Sequence, residues 1–316
     1  MPVRSSLFSA DDLEFITSRS VKTPIRTSPL LDARLGRTIL SKDETVQRGG
    51  SFKFRGVLLG VRNAVDGVVT AGSGNFPIAV GLAAQTLSKR ACLIIPSDAP
   101  AFKLEQARRT GAEIKIAERS NLADDARAEA ERRSWNNLHA FENAEMIAGS
   151  STLGSEIAAA IQEGGPASDA VIVACGGGGL ASGVALALRS HSIDATIYVA
   201  EPETHRRYAA ARAAGAPVRI EPSGNTICDA LQPRQIGRKA FEILEQSAVR
   251  ICSVSDAAVS SASDLLWETC RIRVEPSGAL AMGAVLNGSI APESTRLWVI
   301  ACGGNVDPSV DKARRP

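Results

Sequence analysis

Short, wholly apolar runs alternate with longer stretches of helical pattern along most of this chain, and that alternation restricts the fold more than any other feature. "GVVTAG" is followed by "FPIAVGLAAQTL", "ACLIIPS" by "AFKLEQARRTGA", "AEIKIAE" by "NLADDARAEAERR", "DAVIVACG" by "LASGVALALRS" and "ATIYVAEP" by "THRRYAAARAAG"; "TRLWVIACGG" closes the series. A strand that is apolar throughout is buried on both faces, as in a parallel sheet covered by helices. Repeated strand–helix alternation predicts an α/β fold with right-handed crossovers. Ligands in such sheets bind at the carboxyl ends of the strands. The glycines cluster at those ends, in "AGSGN", "ACGGGGL" and "ACGGN".

The bulk properties exclude more than they identify. A length of 316 residues suits one large domain or two moderate ones, and 44% hydrophobic with 22% charged residues allows a full core. A net charge of +2 without a long run of one sign argues against a nucleic-acid partner. No apolar run is long enough to span a bilayer, and the start "MPVRSSLFSADDLEFI" lacks the apolar region of a secretory signal. Six cysteines without a C-x-x-C pair indicate neither a dense disulfide framework nor a zinc site, and read as reduced thiols in a cytoplasmic protein.

Four local patterns carry chemistry. "GGSFKFRG", Gly49 to Gly56, sets Lys53 between Phe52 and Phe54 in a chain only 4% aromatic. A lysine held in an apolar pocket has a lowered pKa and can act as nucleophile and base, whereas an ordinary lysine is a solvated surface residue. "VIVACGGGGLASG" reads as a buried strand, the turn Gly176, Gly177, Gly178 and Gly179, then a helix. Backbone N–H groups of such a turn and the helix N-terminus hold an anion, and a phosphate is the natural guest. A merely tight turn is the plain alternative. Gly176, Gly178 and Ala181 also fit the dinucleotide fingerprint G-x-G-x-x-A, with Glu201 where a ribose-binding acid falls, but an NAD enzyme leaves Lys53 without a task. In "TAGSGNFPIAVGLAAQ", Ser73, Gly74 and Asn75 line a loop before Pro77, which suits a first helical turn; Ser and Asn are also common cap residues. Cys302 ends the last strand in "VIACGGNVD", a place where cysteine is commonly a small core hydrophobe.

Together and in order, "GGSFKFRG", "AGSGNFPIAVGLAAQ", "HAFENAEMIAGSSTLGSEI", "CGGGGLASG", "VEPSGA" and "ACGGNVD" resemble the fold-type II pyridoxal-phosphate (PLP) enzymes, within them the threonine/serine dehydratase and serine racemase branch. They run from about residue 24 to about residue 308. The resemblance implies two α/β domains with mostly parallel sheets covered by helices: a large PLP-binding domain, residues 1–44 plus 146–316, and a small inserted domain, residues 45–145, that carries the asparagine loop. It implies Lys53 as the Schiff-base lysine that also takes the α-proton, with Phe52 beside it. Gly176 to Gly179 would cradle the phosphate, Asn75 would bind the ring's 3-oxygen, and Cys302 would face the pyridine nitrogen. Ser73, Gly74 and Phe76 would lie at the substrate carboxylate, with Ser73 on the ring face opposite Lys53. A neutral cysteine at the ring nitrogen makes a weaker electron sink and favours prompt loss of a β-substituent. The implied reaction is β-elimination from a β-hydroxy amino acid, giving a 2-keto acid and ammonia. Amino-acid racemization is the alternative, with Ser73 as second base, and an NAD oxidoreductase is the remote one.

Three departures from that pattern stand out. Phe76 replaces the common histidine, "GSST" from Gly149 to Thr152 replaces G-Q-G-T beside the substrate, and His205 and Arg207 stand where racemase-like members carry acidic metal ligands. No metal is therefore expected. The partner is a small-molecule amino-acid substrate, and a homodimer is expected by resemblance.

Overall fold

Two sheets organise the protein, whose computed structural model describes residues 7–140 and 143–307. Phe141 and Glu142 of the "HAFEN" run, and residues 1–6 and 308–316, lie outside the described residues. The strands are β1 (Ile25–Arg26), β2 (Thr38–Asp43), β3 (Gly67–Ala71), β4 (Arg90–Pro96), β5 (Glu113–Ala117), β6 (Asn136–Asn137), β7 (Asp169–Ala174), β8 (Ala195–Pro202), β9 (Arg250–Val254) and β10 (Arg296–Ala301). One sheet has the order β1-β2-β10-β7-β8-β9 and the other β5-β4-β3-β6. All pairings are parallel except β1 with β2. The α/β fold read from the alternation is the one observed. No described helix is long and apolar enough to cross a membrane.

The six apolar runs became β3, β4, β5, β7, β8 and β10. β7 is buried at every position, and the core of the larger sheet gathers around it. In the smaller sheet the two faces separate along single strands. Val68, Leu93 and Ile95 pack into one cluster, while Val69, Cys92 and Ile94 pack into another on the opposite side. That is the period of two expected of a strand covered on both faces.

β2 escaped the apolar pattern because it buries charge. Lys42 donates to Thr23 O and pairs with Glu156. Next to it, Arg55 pairs with Glu44 and with Glu156 at 2.8 Å each. This group joins β2, the helix Lys53–Asn63 and the helix Ala144–Glu163. The "GSST" run lies inside the helix Ala144–Glu163, where Gly149 meets Gly56 and Ser150 meets Gly183.

Candidate active site

Opposite ends of the chain build one clamp. Ser51 bridges Gly303, Phe52 N–H donates to Cys302 O at 3.1 Å, and Gly304 N–H donates to Gly50 O at 2.9 Å. Gly50 has φ +73°, and a side chain there would collide with the Asn305 amide. The clamp sets Lys53, the first residue of its helix, at the exit of β10. Lys53 Nζ donates to Ala140 O at 3.3 Å and lies 5.0 Å from the Phe52 ring and 5.7 Å from the Phe76 ring. Phe54 instead packs wholly inside the core of the smaller sheet. The aromatic pair at the lysine is thus Phe52 with Phe76, and Phe54 is structural. Burial lowers the Lys53 amine to about 8, against the opposing pull of Cys302 and Glu275.

β7 ends at Ala174, and the glycine turn follows. Gly178 has φ +91°, and a Cβ there would stand 2.7 Å from Ala240 Cβ, so both conformation and space require glycine. Gly179 opens the helix Gly179–Ser190. The first N–H groups of a helix have no intrahelical acceptor, and with the dipole they favour an anion.

Phe52, Lys53, Asn75, Gly176, Gly177, Gly178, Gly179 and Cys302 all line one cavity. Asn75 is the first residue of the helix Asn75–Thr86 rather than part of the loop before it. Phe76 reaches Lys53 but does not line the cavity, and Ser73 and Gly74 are half-buried in the preceding loop and do not line it either.

Glu275 and Ser277 also line the cavity, and neither had an individual role in the sequence reading. Glu275 accepts from Asn75 Nδ2, and Asn75 Oδ1 accepts from Asn305 at 2.8 Å. The Glu275–Asn75 pair lies over Gly303, where any side chain would collide with the carboxyl. Glu275 Oε2 is buried without a hydrogen-bond partner among the described residues, and burial raises this carboxyl to about 7. Ser277 O accepts from Cys302 Sγ at 3.7 Å, and burial raises that thiol to about 12, so it is neutral. Their signal was the "VEPSGA" run itself.

Glu201 caps the following helix, accepting from Tyr208 N–H at 2.8 Å and Ala209 N–H at 3.0 Å. It is fully buried and outside the cavity, so it is not available as a ribose-binding acid. Among the described residues Cys92, Glu113 and Glu129 come close enough to share an ion, but both carboxylates are paired to Arg133.

A family model described as "Pyridoxal-phosphate dependent enzyme" matches residues 16–303. The chain is 33% identical over 308 residues to the L-threo-3-hydroxyaspartate ammonia-lyase of Pseudomonas sp, covering 95% of this chain and 93% of that one. It is 34% identical over 304 residues to a serine racemase of Oryza sativa subsp. indica, covering 92% and 87%. The crystal structure of a T.th. threonine deaminase superposes with a TM-score of 0.88 at 34% identity, covering 95% of this chain and 99% of that one.

Proposed function

This chain belongs to the pyridoxal-phosphate dependent enzymes, and from that membership we propose an ammonia-lyase that eliminates water from a β-hydroxy amino acid to give a 2-keto acid and ammonia. The cavity fits the cofactor. A glycine turn that tolerates no side chain at Gly178 offers backbone N–H groups to a phosphate, and the half-buried Lys53 amine, lowered to about 8, lines the same cavity. Lys53 would hold the cofactor through its amine, Gly176 to Gly179 its phosphate, Asn75 its ring oxygen and Cys302 its ring nitrogen. When bound, PLP withdraws electrons from the substrate α-carbon.

The chain's own residues supply the rest. The Lys53 amine, lowered to about 8 by burial, is unprotonated often enough near neutrality to accept the α-proton. The Phe52 and Phe76 rings stand beside it, at 5.0 and 5.7 Å. Cys302 is a neutral thiol and adds no positive charge at the cavity wall, which suits prompt elimination. That combination of a lysine of lowered pKa and a neutral cysteine carries the lyase reading. Racemization needs a second base opposite Lys53, the place the resemblance gives Ser73, and it is the second reading because a serine racemase is also among the similar proteins.

A neighbouring cleft shares Ala140 with the cavity and is lined by Arg127, Lys239 and Glu145. The similarity to an L-threo-3-hydroxyaspartate ammonia-lyase makes 3-hydroxyaspartate the expected best substrate in a panel with serine, threonine and phenylserine. The two sheets support reading residues 45–145 as a smaller domain inserted into the larger. A homodimer in the cytoplasm completes the reading; six free cysteines, five of them buried, support a reducing compartment.

The test is a visible absorption spectrum followed by keto-acid assay across all stereoisomers of the panel. A yellow chromophore lost in Lys53→Ala, with keto acid from one substrate, is expected. Loss of optical rotation without keto acid would replace lyase by racemase, and no chromophore after PLP addition would remove the Lys53 assignment.

A further inference from the structure

Arg207 lies behind the glycine turn. It is fully buried and is not among the residues that line the cavity. A Cβ built on Gly176 would stand 3.7 Å from Arg207 Nη1. Nη1 donates to Cys175 O at 3.4 Å, the carbonyl that immediately precedes the turn, and Nη2 donates to His205 O. Glu201 Oε1 is 3.8 Å from Nε, too far for a hydrogen bond, and Nε has no such partner among the described residues.

A purely structural arginine pair would be expected to engage its carboxylate through a two-pronged fork. Here both Glu201 oxygens are taken by the Tyr208 and Ala209 amides. The guanidinium is held mainly by carbonyls, and burial disfavours its charge more than any neighbour restores it. A buried cation is costly when its compensation is incomplete. An anion in the turn would complete it, in a medium where charges interact far more strongly than in water.

We propose that Arg207 is the buried counter-charge of the anion-binding turn: it fixes the strand end through Cys175 O and attracts a phosphate monoester dianion held by Gly176 to Gly179. The identity of the monoester as PLP rests on the function proposed above; the charge relation does not. Arg207 touches no ligand and is a positioning residue.

Apoprotein titrated with PLP, with pyridoxal and with inorganic phosphate tests this. Arg207→Met is expected to weaken PLP binding about tenfold or more. Its affinity for pyridoxal, which lacks the phosphate, should be unchanged, and thermal stabilisation by inorganic phosphate should vanish. Arg207→Lys should fall between. Glu201→Gln removes the opposing charge and should tighten PLP and phosphate several-fold, the opposite sign. Equal losses for PLP and pyridoxal in Arg207→Met, or undiminished phosphate binding, would overturn the proposal. Should Arg207→Met fail to fold, Glu201→Gln decides, and unchanged or weaker phosphate binding overturns it. Phosphate binding that depends on Arg207 in a protein that ignores PLP would support the proposal and remove the cofactor reading.

Discussion

Glu275 shows how far a single carboxyl can be set against its fold. One oxygen holds Asn75 and the other is buried with no partner among the described residues, so the ionised form is poorly solvated. Its pKa is raised from 4.5 to about 7, so the folded state binds the proton more tightly than the unfolded chain does. Stability from this group is full below the unfolded value and is lost as pH rises through about 7. Glu275→Gln keeps an oxygen for Asn75 and removes the charge. It should stabilise the apoprotein by up to about 3 kcal/mol at about pH 8, with the gain gone at about pH 4. Denaturant unfolding at the two pH values measures it, and an equal effect at both would refute this account. Glu275 was legible only as part of a motif, because what makes it special is the absence of a partner, which no spacing reveals. Lys53 was legible through its apolar flanks, but the second flanking ring is Phe76, from a different helix. Adjacent residues on a helix point to different sides, which sends Phe54 to the core instead.

At the scale of elements, the helix that begins with Lys53 is held from behind. Its Gly56 and Gly149 of the helix Ala144–Glu163 touch backbone to backbone, where no Cβ fits. Arg55, two residues after the lysine in sequence, is tied to Glu44 and Glu156. Gly149→Ala should wedge the two helices apart at a cost of about 1–3 kcal/mol, as overpacking commonly does. Because Lys53 starts one of them, activity should fall with the stability. A thermal scan with the keto-acid assay checks both, and an unshifted midpoint would show that the helices can part freely. Glu44→Ala leaves Arg55 with one remaining carboxylate and should cost about 3–5 kcal/mol in chemical unfolding; a change below about 1 kcal/mol would mean that Glu156 alone suffices. The six apolar strands were readable because burial on both faces leaves an unbroken apolar run. β2 was not, because its charges are satisfied by residues far away in sequence. The small residues of "GSST" mark close approach to neighbouring helices, and sequence alone does not say whether small residues approach a ligand or a helix.

For the whole molecule, the candidate active-site cavity lies where segments that follow strands of both sheets meet. Gly176 to Gly179 and Cys302 follow strands of the larger sheet, while Asn75 begins the helix after β3 of the smaller one. The strand–helix alternation made the sheets legible but not this meeting, since the Gly50–Phe52 contact with Cys302–Gly304 joins the two ends of the chain. A ligand that spans both sets of residues must stabilise their association by its own binding free energy. At a concentration about a hundredfold above Kd that is about 2.7 kcal/mol, or roughly a hundredfold in the opening equilibrium. Openings that detach the smaller sheet from the larger should be suppressed by that factor, so amides of β3 and β4 should exchange roughly a hundredfold more slowly with PLP present. Hydrogen exchange of apoprotein and holoenzyme gives the comparison. Slowing confined to β7, β8 and β10 would mean that the cofactor is held by the larger sheet alone. The smaller unit would then open and close independently of it, and Asn75 would have no part in holding the ring.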